Sequence, residues 1–142
     1  MSKKKKNPEI YISIDVEADG PIPGENSMLS FGAAAYTEDK KLIDTFSVNL
    51  ELLTNAKPDI DTMKWWDTQK VAWVECRKNL VDPKIAMNDF INWIKSYRFI
   101  NYTPVIVAFP AGFDFTFMYW YITKFVGKSP VSFSCLDMKT FA

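Results

Sequence analysis

Residues 12–17, Ile12-Ser13-Ile14-Asp15-Val16-Glu17, decide how the chain is read; they stand inside residues 10–36, "IYISIDVEADGPIPGENSMLSFGAAAY". The run is apolar and β-branched, as strands are, yet it carries two carboxylates. A strand alternates its faces with period two, so Asp15 and Glu17 point one way and Val16 the other. Two like charges on one side of a core strand are costly to bury unless a cation lies between them. The rest of the chain is therefore read for a partner to that pair.

Outward from this strand, Ile10 to Glu17, the segment Ala18 to Asn26 holds Gly20, Pro21, Pro23 and Gly24 and reads as an irregular loop. Met28 to Tyr36 reads as a second strand. "TEDKK" is a hairpin turn, and Leu42 to Leu50 returns as a third strand. Helical patterning follows. Asp61 is a candidate cap for one helix through "TMKWWDTQKVAWVECRKN". Asp82-Pro83 supplies a cap and first-turn proline for another, whose Ala86, Phe90, Trp93, Ile94 and Tyr97 form one apolar stripe. Pro104 to Phe109, "PVIVAF", has the look of a strand covered on both faces. A third helix from Asp114 to Val126, a fifth strand in "VSFSCLD" and the first turn of a helix in "MKTFA" complete the order. A three-stranded antiparallel meander followed by parallel strands with helices packed on the sheet is an α/β layered fold, here with its last helix missing.

The bulk composition narrows the function. The 142 residues fit a single domain, and 48% hydrophobic with 15% aromatic content argues for a filled core. No apolar run reaches the roughly 18 residues that span a bilayer, and "MSKKKKNPE" is followed by no apolar segment of a secretory signal. A cytoplasmic location is the expectation. Residues 1–9 read as a basic, disordered tail, a solubilising segment or a phosphate-holding one, and 10–142 as the folded domain. Without Lys3 to Lys6 the chain has 13 basic against 17 acidic residues, so a plain phosphate-coating surface is excluded. With no histidine, His-based catalysis and His-ligated metals are excluded within this chain. Cys76 and Cys135 suggest neither a disulfide scaffold nor a zinc site.

Asp15 and Glu17 end the first strand, and Asp114 opens a helix after the buried strand "VIVAF". Ligands of α/β sheets collect at the carboxyl ends of strands. Three carboxylates with no His or Cys suit Mg²⁺ or Mn²⁺. Two such ions ~4 Å apart are a clamp for phosphodiester cleavage, one activating water and the other stabilising the leaving oxygen.

On these residues the chain resembles the DEDD superfamily of 3′-5′ exonucleases, the DnaQ-like and RNase T-like group. "IDVEADG" is similar to its first motif, Asp-x-Glu. "AFPAGFDFTF" is similar to the second, ending in Phe113-Asp114, and "CLDMKTFA" to the segment before the third. The resemblance implies an RNase H-like fold, two divalent metals and hydrolysis of RNA or DNA from the 3′ end, on single-stranded or 3′-overhanging substrates. It makes Asp15, Glu17 and Asp114 metal ligands and catalytic residues. It brings the loop from Ala18 through Gly20 to Asn26 to the terminal nucleotide, with Met28 or Leu29 as a wedge against its base. Phe109 and Pro110 replace the His-Asn of many relatives. The third motif, a His or Tyr followed by the fourth aspartate, lies beyond Ala142, so the chain is expected to be C-terminally incomplete and to turn over weakly or not at all. A non-catalytic nucleic-acid-binding or interaction module with the same fold is the alternative.

Other residues are read two ways. Trp66, Gln69 and Trp73 share a helical face, either a platform for bases or core, with Gln69 the better placed for substrate. Tyr121, in line with Asp114, either packs or shows its hydroxyl to the cleft. Asp137 is a substitute ligand or a helix cap. Asp19 and Glu25 read as solvated loop acids, and the aromatic run "FMYWYI" as a surface for a homodimer.

Overall fold

The computed structural model describes residues 7–108, 111–127 and 135–137. Lys3 to Lys6, Phe109, Pro110, Val131 to Ser134 and "MKTFA" lie outside these described residues, as does the side chain of Asp137.

Five strands form one mixed sheet: β1 (Glu9–Ala18), β2 (Met28–Tyr36), β3 (Leu42–Asn49), β4 (Thr103–Ala108) and β5 (Cys135–Asp137), in the order β3-β2-β1-β4-β5. β1 runs antiparallel to β2 from Tyr11↔Tyr36 to Ala18↔Met28, with a bulge between Glu17 and Ala18, and β2 runs antiparallel to β3. β4 lies parallel to β1 from Glu9↔Thr103 to Ser13↔Val107, and β5 lies parallel to β4. A meander joined to parallel strands, with the first strand at the centre, is the expected RNase H-like arrangement. Among the described residues no helix is long and apolar enough to cross a membrane.

The alternation of β1 builds the core. Ile10, Ile12, Ile14, Val16 and Ala18 are buried, while Ser13 and Asp15 on the opposite face are exposed and Glu17 is half-buried. Two helices cover the apolar face: α3 (Pro83–Ile94) with Ala86, Phe90, Ile91 and Ile94, and α4 (Ala111–Phe125) with Phe117, Met118, Tyr121 and Ile122. The α3 cap is as expected, Asp82 accepting from the Lys84 and Ile85 amides with Pro83 in the first turn. Phe90 is the hinge of an aromatic cluster, its ring 5.0 Å from Phe31, 5.4 Å from Phe46 and 5.9 Å from Trp93. Tyr97 leaves the expected stripe. It opens a short 3₁₀ turn (Tyr97–Phe99) and is exposed, because α3 ends at Ile94.

The single helix expected after Asp61 is two: α1 (Ile60–Asp67) and α2 (Lys70–Cys76). The cap is Asp59, whose carboxylate accepts from the Thr62 amide at 2.9 Å and its hydroxyl at 2.8 Å. The break is local chemistry. The Thr68 hydroxyl donates to the Trp65 carbonyl at 2.6 Å, and the Thr68 amide turns back to the same oxygen. The bend brings Trp73 to 5.5 Å from Trp66, and both close over Leu29 with Met63 and Cys76 in a second small core. The aromatic run on α4 is largely interior. Phe117, Met118, Tyr121 and Ile122 are buried and Trp120 is partly covered, leaving Tyr119 outward.

Candidate active site

The carboxyl end of β1 projects past its ladder with β4, whose last pair is Ser13↔Val107. Three residues on, the Val16 amide donates to Oδ1 of Asp114 at 3.1 Å, across 98 positions of sequence. Asp114 lies in the first turn of α4, where the helix dipole favours an acid. It is buried, with 3% of its surface exposed. A carboxylate thus takes the place that a further strand residue would fill. It joins the end of the central strand to the helix behind it.

Asp15 and Glu17 stand on the open face of the same strand, one outward and one half-buried. The Glu17 carboxyl is held above the usual glutamate range, first by burial, then by the negative charges of Asp15 and Asp114. The three acids therefore share one electrostatic neighbourhood, and the strain between them is the kind that a cation relieves. Among the described residues no group of three or more His, Cys, Asp or Glu side chains is gathered closely enough to hold a metal ion. Carboxylates are the donor type that suits a hard divalent ion.

The structure also shows how the loop after Glu17 is held. Ala18 is buried, and its carbonyl accepts from the Trp66 indole at 3.0 Å. Asp19 is buried too, with 3% exposed, and is not the solvated loop acid expected of it. Its Oδ1 accepts from the Ser27 amide at 2.7 Å, its own amide donates to the Ser27 carbonyl at 3.0 Å, and its carbonyl accepts from the Asp59 amide at 2.8 Å. Burial raises its carboxyl above the usual range, opposed by the Ser27 amide and by the charge of Arg77. The Met28 amide donates to the Tyr121 hydroxyl at 2.7 Å, and Arg77 donates to the Leu29 carbonyl. Tyr121 is wholly buried, which pushes its phenol well above the usual tyrosine range.

Of the residues expected to meet substrate, Met28, Leu29 and Trp66 are interior, each 3% exposed or less. Their side chains complete the core around the strand end, so the wedge and platform roles find no exposed ring or thioether here. Gly20 is buried, and a Cβ there would lie 2.2 Å from Cγ of Asn26. Its lack of a side chain makes room for Asn26, which accepts from the Ile22 amide and donates to the Lys57 carbonyl. Gln69 is exposed at the α1–α2 corner, its amide nitrogen on the Thr68 hydroxyl. Beside it Trp65 is half-exposed, a ring that sequence reasoning passed over in favour of Trp66. The signal available was the apolar periodicity, which cannot say which of two adjacent tryptophans faces inward.

No family model matches the chain. A curated relative does: the 3′-5′ DNA exonuclease Cap18 of Escherichia coli is 35% identical over 133 residues, which is 93% of this chain and 67% of that protein. The chain belongs to the 3′-5′ exonuclease superfamily. Solved structures agree on the fold. The complex of E. coli exonuclease I with a dT13 oligonucleotide superposes with a TM-score of 0.66 at 12% identity, over 89% of this chain and 26% of that one. The zinc-bound form of the exonuclease I complex with single-stranded DNA superposes with a TM-score of 0.67 over the same shares. The chain thus spans about two thirds of the curated relative and about a quarter of the exonuclease I chains.

Proposed function

We propose that this domain binds the 3′ end of single-stranded nucleic acid, DNA in the first instance, and contributes to its hydrolysis with Asp15, Glu17 and Asp114 as ligands for Mg²⁺ or Mn²⁺. The observation that carries the reading is the Val16–Asp114 hydrogen bond, which draws an acid from a distant helix to the strand end that bears the other two. The relative's name supports DNA as substrate, and the oligonucleotide complexes of the structural neighbours support a single strand.

When bound, a divalent ion supplies the positive charge that polarises the phosphodiester and lowers the pKa of water. The chain's own residues do the rest. The Val16 amide fixes one oxygen of Asp114, so this acid is preset by backbone, not by rotamer choice. Glu17, half-buried, keeps an oxygen donor close to the phosphate in a poorly solvated site, where charge interactions are strong. Asp15 is exposed, so packing does not fix its rotamer, and it is the donor that turns to complete the set. Gln69 and Trp65, outward at the α1–α2 corner, reach the strand of nucleic acid behind its end. A base stacked on Trp65 would contribute about 1–3 kcal/mol.

The test compares release of nucleotides from 5′-labelled single strands with free and with phosphorylated 3′ ends, in Mn²⁺ and in EDTA. Release confined to free ends and to Mn²⁺ supports the reading. Binding of the free strand that Mn²⁺ neither strengthens nor follows with release supports a non-catalytic module instead. Equal cutting of both substrates would show an internally acting nuclease.

A further inference from the structure

The loop from Ala18 to Met28 starts one residue past Glu17. It is held partly by its own Asp19 and Asn26 side chains and partly by groups from other elements. The Tyr121 hydroxyl, on the helix that carries Asp114, accepts the Met28 amide at 2.7 Å, and both residues are fully buried. The Asp19 carboxylate crosses the loop to the Ser27 amide at 2.7 Å, in an environment with 3% and 1% exposure at the two ends. The Ser27 hydroxyl in turn accepts the Leu53 amide at 3.0 Å. Neighbouring backbone amides at the far end of the loop are thus captured, one by α4 and one by the loop's near end.

We infer that Tyr121 and Asp19 act together as a latch: Tyr121 fixes the far end of the Ala18–Met28 loop to α4 and Asp19 ties the loop's two ends together, and as positioning residues they make the loop and Asp114 present one preset surface to a 3′-terminal nucleotide. The inference rests on the proposed binding of 3′ ends and adds the residues that set its specificity. The physical ground is that a buried amide without its acceptor is costly, so the loop has one low-energy position while both acceptors are present. Without them the far end of the loop, at Ser27 and Met28, is held less tightly. An ordered loop beside the carboxylates discriminates a free terminus, whereas a loop that samples several positions does not. Plain core packing would need neither the phenol oxygen nor the carboxylate. Phenylalanine fills nearly the volume of Tyr121, and the aromatic contacts to Trp120 and Phe125 at 5.2 and 5.6 Å would survive the exchange.

The experiment measures binding of 5′-fluorescein oligothymidylate by anisotropy, in Ca²⁺ to hold phosphate without turnover, with the 3′ end either free or phosphorylated. Wild type, Y121F, D19A and D19N are compared, each also by thermal melting. Wild type is expected to prefer the free end. Y121F and D19A are expected to lose about tenfold of that preference, the scale of one buried hydrogen bond, with binding of the blocked strand unchanged. D19N keeps the acceptor for Ser27 and is expected to retain the preference. Slow hydrogen exchange at the Ser27 and Met28 amides in wild type, sped up in Y121F, reads the latch directly. Should the variants keep the wild-type preference, or lose free and blocked binding in parallel, the latch is overturned while the exonuclease reading stands. Should wild type show no end preference, both are overturned.

Discussion

Replacing Asp114 separates what it does for the fold from what it does for a metal. In Asp114→Ala the Val16 amide loses its acceptor at a site where Val16 and Asp114 are each 3% exposed, so water is poorly placed to substitute. An unsatisfied buried donor costs about 1–3 kcal/mol, which for a chain of this size is roughly 3–9 °C of melting temperature. Asp114→Asn keeps an acceptor oxygen for Val16 and removes the negative charge that Glu17 feels. Its metal-free melting temperature is therefore expected to match or exceed that of wild type. Manganese reverses the order. At a hundredfold excess over its dissociation constant a native-state ligand stabilises by about 2.7 kcal/mol, or roughly 8 °C. Wild type is expected to gain this, and both variants less than half of it. Differential scanning fluorimetry with and without Mn²⁺ gives all six values. An Asn variant that gains as much from Mn²⁺ as wild type would refute Asp114 as a ligand. An Ala variant that melts with the Asn variant would refute the role of the Val16 bond.

Gly20→Ala places a methyl 2.2 Å from the Asn26 side chain, which is pinned at both ends; the loop must shift, and circular dichroism melts are expected to fall by about 1–3 kcal/mol. Phe90→Ala empties a fully buried position between three rings and is expected to cost about 3–5 kcal/mol in urea unfolding, a large share of the stability of an ordinary domain. Glu17 has a folded-state pKa above its ordinary 4.5, so its contribution to stability is complete below about that pH and is lost as pH rises through the raised value. Metal-free unfolding measured from pH 4 upward should show wild type losing ground to Glu17→Gln across that window, and a parallel course for the two would refute the repulsion.

The strands were legible because their signal is local. In β1 each alternate residue from Ile10 to Ala18 is apolar, and the structure buries all five. Asp82-Pro83 was legible for the same reason, since cap and proline act on the turn they begin. The misreadings lie where a hydrogen bond that periodicity does not record decides, local at Thr68 and distant at Asp19 and Trp66. Whether helix continues past Asp67 depends on a threonine hydroxyl choosing the backbone over solvent, and periodicity does not record that choice. Asp19 looks like any acid between glycine and alanine. Its burial follows from Asp59, Ser27 and Arg77, which arrive from three other segments. Trp66 and Trp65 are equivalent in sequence, and the Ala18 carbonyl selects one of them.

The placement of the three acids explains why the motif was readable when its surroundings were not. Asp15 and Glu17 belong to the face of β1 away from α3 and α4, and Asp114 to the helix on the other face, so the strand's end, past the last β1–β4 pair, is where their charges reach one another. An edge of that kind is where a sheet can bring acids from both of its layers together without burying them all. The cost there falls on the metal-free protein, which keeps Glu17 half-buried between two like charges. An amide at position 114 would accept the Val16 bond and spare the repulsion but forgo the helix dipole's preference for an acid. The carboxylate at position 114 fits the cation proposed above, with Asp15 and Glu17 as the other donors, and the Mn²⁺ shift of the Asp114→Asn variant decides between that role and the helix dipole.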